Sequence, residues 1–145
     1  KLYFLQHLPT MFWWRGKVIE ASPQNLVATI PYSWRTQNPF NSTYFAAQSG
    51  VAELTTGLLV MLAVRGYDCN FSTLVTNFEA QFTKKATDTV FYRCEMGDEI
   101  FATAQEADDS GEARAIECVS IGKMANGVEV GRVVVTWSMK PKKRS

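Results

Sequence analysis

Histidine is almost missing from this 145-residue chain: His7 is the only one, in a Leu-Gln-His-Leu-Pro context near the start. No Gly-x-Ser-x-Gly sequence occurs either, so Ser-His-Asp and Cys-His catalysis and a histidine-rich metal site all lack support. Cysteine is scarce as well. Cys69, Cys94 and Cys118 form no Cys-x-x-Cys pair, and an odd number builds no disulfide framework. Three free thiols suit a reducing cytosol, so a cytoplasmic location is expected. An excess of one charge is lacking too: fifteen Lys and Arg oppose fourteen Asp and Glu for a formal +1, and four cations fall within the last six residues. That balance argues against a nucleic-acid partner. The apolar stretch at residues 2–14 is interrupted by Gln6, His7 and Pro9 and is too short to span a bilayer. The expectation is neither a signal peptide nor a membrane span, although a start at Lys1 leaves room for residues upstream.

What is present is a chain 46% apolar and 12% aromatic, enough to bury a core without metal or cofactor. It reads as one domain over residues 1–145, with an aromatic segment at 1–16 and a basic tail at 140–145. In the first segment Pro9 breaks a short helix. Trp13 and Trp14 either pack against the sheet or a partner, or line a ligand site. Residues 18–21 and 26–30 read as a hairpin. Residues 42–65 carry apolar side chains at helical spacing, with Ser42 as N-cap and Arg65-Gly66 as the stop. Many other positions of that helix are small, which marks it as central and surrounded. Residues 74–83 alternate as a half-buried strand, with Leu74, Phe78, Ala80 and Phe82 on one face and residues 87–95 as its partner. Residues 98–107 read as a short helix. Residues 114–121 and 128–137 are two last strands, joined through Asn126-Gly127. The pattern predicts one antiparallel sheet curled round one buried helix.

Glu53 stands out on that central helix. Its neighbours one turn away are Ser49, Gly50, Thr56 and Gly57, none of them a cation. An enclosed carboxylate without a partner calls for a tertiary ion pair, a raised pKa or a functional role. Upstream, residues 35–42 form a turn-rich loop leading to the helix start, where unpaired N–H groups and the positive end of the helix dipole favour an oxyanion. Glu53 lies about 13 Å further along by helical rise, so one rigid helix cannot bring both to a single carbonyl. A second copy of the chain can supply one of them.

Asn38, Asn41, Tyr44-Phe45-Ala46 and, nine residues after Tyr44, Glu53 together resemble the helix-start motif of hotdog-fold acyl-CoA thioesterases, Asn-x-x-Gly-x-x-His-Gly-Gly followed by an acid. The chain is similar to the branch with phenylacetate-pathway-type thioesterases and divergent thioesterase-like domains carrying Tyr-Phe-Ala-Ala. The resemblance implies an α+β hotdog fold, an antiparallel sheet wrapped around a long central helix, and an acyl-CoA thioesterase. It implies Glu53 as base or nucleophile, Asn38 as a group holding water or substrate, Ala46 as backbone oxyanion donor and Thr83 as water-orienting. Asn41 replaces the family's first glycine and Tyr44 its histidine. With Phe45 and Gln48 they are assigned to substrate binding. The depth of the acyl pocket is left to the packing of Leu58, Met61, Phe78 and the aromatic N-terminus. The substrate is an acyl-CoA or acyl-carrier thioester, with no other cofactor and no metal. The site is shared between two protomers of a homodimer, with a dimer of dimers as an option. Lys84, Lys85 and Lys123 are candidates for coenzyme A phosphates. The alternative is a non-catalytic acyl or acyl-CoA binding module. A hydratase or dehydratase on this fold needs a histidine beside an acid, and His7 is misplaced for that.

Overall fold

A computed structural model describes residues 2–142. Pro9 both separates the first two short helices, α1 (Leu2–His7) and α2 (Pro9–Trp13), and begins the second, since at a helix start its missing N–H costs nothing. The hairpin β1 (Lys17–Ala21) and β2 (Leu26–Ile30) follows, then the long helix α3 (Phe45–Val64) and the strand β3 (Phe71–Phe82). Next come β4 (Val90–Cys94), helix α4 (Gly97–Ser110), β5 (Arg114–Met124) and β6 (Glu129–Pro141). Gly111 ends α4 at φ 70° and Gly127 turns the last hairpin at φ 81°, a left-handed conformation that costs glycine nothing.

The six strands form one antiparallel sheet in the order β1-β2-β4-β5-β6-β3, curled around α3 in the hotdog arrangement. By length and apolarity α3 could cross a bilayer, yet 61% of its most apolar window is buried inside the fold; it is a core helix. Ala47, Val51, Ala52, Leu59, Val60 and Ala63 are its buried core residues. Three hydrogen bonds tie it to three successive strands. Tyr92 of β4 donates to Gln48 Oε1 at 2.9 Å, Ser120 of β5 shares a 2.8 Å bond with Thr55, and Trp137 Nε1 of β6 donates to Thr56 Oγ1 at 2.8 Å. The Tyr92 ring reaches Gln48 by lying across Gly122 and Gly131, where a Cβ would collide with it.

Three expectations are corrected. Tyr44, not Ser42, is the N-cap of α3, without a side-chain cap bond; the Ser42 hydroxyl is drawn instead to Asn38 Oδ1. Residues 87–95 do not pair with 74–83: β4 lies between β2 and β5, and β3 pairs with β6 at the sheet edge. Nor is β3 half-buried. All its residues are exposed except Phe71 and Val75, which are intermediate, because an edge strand has a neighbour on one side only. A bulge at Thr76 places Val75 opposite Trp137 and Phe78 opposite Val135. It therefore puts Leu74 on the face opposite to Phe78, Ala80 and Phe82.

Candidate functional site

The loop before α3 is folded by its own polar side chains. Thr36 donates to the Pro31 carbonyl at 2.6 Å and accepts from the Ser33 amide at 2.9 Å. Asn38 Oδ1 accepts three bonds, from the Phe40 amide (2.9 Å), the Ser42 amide (3.2 Å) and the Ser42 hydroxyl (3.2 Å). Its carboxamide oxygen thus shapes the loop. Asn41 adopts φ 57°, a left-handed conformation in which Asn is the common substitute for Gly. The residue aligned with the resembled motif's glycine therefore has a glycine-like backbone. Thr43 anchors this loop to the crossover after β3, with both its amide and its hydroxyl donating to the Ala86 carbonyl.

At the helix start the Tyr44 amide donates to the Thr36 carbonyl at 2.7 Å, and the Tyr44 carbonyl accepts from Ala47 and Gln48. The amides of Phe45 and Ala46 precede the first helical bond and have no acceptor among the described residues. They sit beside a cleft of about 720 Å³ that brings together Asn38, Tyr44, Phe45, Gln48, Thr83 and the pair Lys84 and Lys85. Tyr44 and Phe45 meet edge to face at 5.0 Å, and Phe82 of β3 meets Phe45 at 6.5 Å. Lys85 Nζ donates to the Phe40 carbonyl at 2.9 Å. Gln48 is held from both ends, accepting from Tyr92 and donating to the Thr43 carbonyl at 3.4 Å. Neither Asn41 nor Ala46 is among the side chains lining this cleft, and Lys123 borders a different one on the far side of β5.

Glu53 lies apart, on the third turn of α3. Its Oε1 rests over Gly57, where a Cβ would stand 3.1 Å from it and 3.0 Å from Cζ2 of Trp137. Among the described residues nothing forms an ion pair or hydrogen bond with its carboxylate, and burial raises its pKa above the ordinary glutamate value. The group is half-buried. The Glu53 carbonyl accepts from Thr56, the same hydroxyl that accepts from Trp137, so β6 fixes the turn that carries the acid. Trp137 faces Val75 of the edge strand, which puts Glu53 near the open side of the sheet. One turn earlier, the Ser49 hydroxyl is buried and has no hydrogen-bond partner among the described residues.

Gly57, Trp137, Thr56 and Tyr92 were not singled out from the sequence. Only the Glu53-Gly57 spacing hinted at any of them, because a glycine one turn past an acid leaves room for its side chain. The three thiols are free; Cys94 and Cys118 are buried, and burial pushes Cys118 up to about 12. Cys69 Sγ lies 3.4 Å from Asp108 Oδ1. Among the described residues no group of His, Cys, Asp and Glu could hold a metal ion.

A family model described as a domain of unknown function (DUF4442) matches residues 5–139. No curated protein matches by sequence. Among solved structures, a Pseudomonas aeruginosa protein of unknown function, described as a "Probable Thioesterase", superposes with a TM-score of 0.81. It is 14% identical, over 97% of this chain and 93% of its own. A Chlorobaculum tepidum protein of unknown function gives 0.83 at 12% identity, over 98% and 92%. A Haemophilus influenzae thioesterase gives 0.69 at 12% identity, over 97% and 88%. At such identities the likeness establishes a hotdog fold, and the chemistry has to come from this chain's residues.

Proposed function

This chain belongs to the DUF4442 family, and from that premise we propose that it hydrolyses an acyl thioester, with Glu53 as general base or nucleophile. The observation that carries the reading is the Glu53 carboxylate, half-buried, unpaired among the described residues and raised in pKa by burial. A structural carboxylate in this position would have a cation or donor to balance its desolvation. A raised pKa suits a base working near neutrality. A thioester suits the remaining toolkit, because a thiolate leaves without a strong acid.

The oxyanion donors of this reading are the amides at Phe45 and Ala46 of a second protomer. Three features support a shared site. The 12-residue strand β3 presents an open edge, the kind that pairs with another chain. Leu74, Phe78 and Phe82 on it are exposed apolar side chains. Glu53 lies about 13 Å of helical rise from its own helix start but near that edge. Pairing two β3 strands antiparallel would carry the helix start of each copy toward Glu53 of the other. Thr83 and Asn38, at the cleft beside the amides, then flank the thioester from that second chain. The substrate is an acyl-CoA or acyl-carrier thioester, no further cofactor takes part, and a cytoplasmic setting belongs to the same reading.

The test is release of free thiol from a panel of short, medium, long and aromatic acyl-CoAs, comparing wild type with Glu53→Gln. The reading predicts turnover that falls by a factor on the order of 10² to 10³ in the variant. Equal rates would refute it. A second reading, a non-catalytic binding domain, draws on Tyr44 and Phe45. Both are exposed and meet edge to face at the cleft where the resembled motif has His and Gly. Binding without turnover across the panel would establish it.

A further inference from the structure

The last turn of α2 carries Met11, Phe12, Trp13 and Trp14 in succession, so it presents apolar side chains on both of its sides. Met11 and Trp14 turn inward: Met11 is buried, and a Cβ at Gly50 of α3 would stand 3.0 Å from Cζ3 of Trp14. Phe12 and Trp13 turn outward and are exposed. A surface helix ordinarily carries polar residues on that side, and one that is apolar all round is covered by something. Trp34, from the loop after β2, joins the outward pair. It is 75% exposed, and its ring meets that of Trp13 edge to face at 6.3 Å.

The charge around this patch is of one sign. Arg35 holds its guanidinium 4.8 Å from the centroid of the Trp13 ring, a cation–π contact that keeps the cation among the aromatics. Arg15 and Lys17, just past the helix, are exposed. Among the described residues none of these three cations forms an ion pair. Residues 1–52 contain four cations and a single acid, Glu20, whose carboxylate is engaged by Arg93 at 3.1 Å. Residues 53–139 reverse the balance, with thirteen acids against seven cations. The near-neutral whole thus combines a cationic, aromatic first part with an acidic body.

We propose that this patch docks the protein reversibly on an anionic lipid surface, with Phe12, Trp13 and Trp34 entering the headgroup layer and Arg15, Lys17 and Arg35 meeting lipid phosphates. Indole rings settle at the boundary between water and lipid, because their bodies are apolar and their N–H groups find headgroup acceptors. Each cation near an anionic leaflet raises affinity about fivefold at low salt. The acidic body is repelled by the same leaflet, which sets the side that faces it. A nucleic acid matches less well, since three cations neutralise few phosphates. So does a second copy of the chain, because a two-fold contact through this patch would set the three cations against themselves. This docking is independent of the hydrolase reading.

The experiment is co-sedimentation of the full chain with phosphatidylcholine vesicles, with and without about one third phosphatidylglycerol, at low and high salt. Binding to the anionic vesicles is expected to be tighter by about tenfold or more and to weaken with salt. Brominated lipid quenches the emission of Trp13 and Trp34. Replacing both, Trp13→Ser with Trp34→Ser, lowers affinity on the order of tenfold. Arg35→Glu, checked for folding by circular dichroism, loses most of the preference for anionic vesicles. Met61→Ser, at an exposed position toward the other end of α3, binds as wild type does. Absence of wild-type binding to anionic vesicles, equal binding to both compositions, or binding unchanged in the paired Trp variant and in Arg35→Glu overturns the proposal. Either rival pattern does so too: a smaller oligomer in Trp34→Ser without vesicle binding marks a contact between copies, and capture of a single-stranded oligonucleotide in place of vesicles marks a nucleic-acid surface.

Discussion

Tyr92→Phe removes a single oxygen from the centre of the molecule. The Tyr92 side chain is fully buried, and its hydroxyl donates to Gln48 Oε1 at 2.9 Å. Gln48 is itself only 4% exposed, so water does not readily replace the lost donor. A neutral buried hydrogen bond contributes about 1 kcal/mol net, and stranding its acceptor adds a desolvation cost, so the expected loss is about 1–3 kcal/mol. For a chain of this size that lowers Tm by about 3–9 °C. Urea unfolding followed by circular dichroism measures it, with m unchanged. Gln48→Met tests the same link from the helix side. With both partners replaced, no acceptor is stranded, so the double variant loses less than the sum of the singles by about 1 kcal/mol. A loss under about 0.5 kcal/mol for Tyr92→Phe, or strict additivity, would refute the claim that this bond ties β4 to the helix start.

Three other outcomes follow from the same structure. Burial raises the Glu53 pKa, so the folded state favours the protonated form: the stabilising contribution of the protonated side chain is complete below the unfolded glutamate pKa and is lost as pH rises through the raised folded value. Glu53→Gln is therefore more stable than wild type at neutral pH, and thermal melts from pH 4 to 8 should show the gap closing toward acid. Gly131→Ala, whose Cβ would meet the Tyr92 hydroxyl and the Phe82 ring, costs about 1–3 kcal/mol by overpacking, read from the urea midpoint; a neutral effect would misplace Tyr92. Leu74→Asp, at an exposed apolar position of β3, shifts the protein toward monomer in light scattering if that edge joins two copies.

The sequence carried the element order because its signals were local. Asn126-Gly127 turns a hairpin by backbone preference, and the apolar, small-residue pattern of residues 42–65 admits only an enclosed helix. Strand neighbours were less legible. Residues 74–83 and 87–95 are adjacent in sequence and both strand-like, yet the crossover through Ala86 carries β4 past β3 to β2 and β5. Thr76 illustrates a limit of periodicity: one extra residue inverts the face of everything beyond it, so Leu74 parts from Phe78. Glu53 was legible because all four of its i±3 and i±4 neighbours lack charge. Trp137 and Thr56, which fix its turn, were not, because their meeting spans 81 residues. Asn38 shows how a motif position can be recognised while its local duty escapes notice, since its oxygen is engaged by the loop that it shapes.

A shared site makes a demand that no single variant can probe. Glu53→Gln removes the acid. Ala46→Pro removes one amide hydrogen in the first helical turn, where proline is tolerated. Each alone should be nearly inactive as a homodimer. Mixed in equal amounts and allowed to exchange, they should recover about a quarter of wild-type thioester hydrolysis, because half the dimers then contain one intact site of two. A mixture no more active than its parents, with heterodimers confirmed by native mass spectrometry, would contradict a site built from Glu53 of one chain and the helix start of the other.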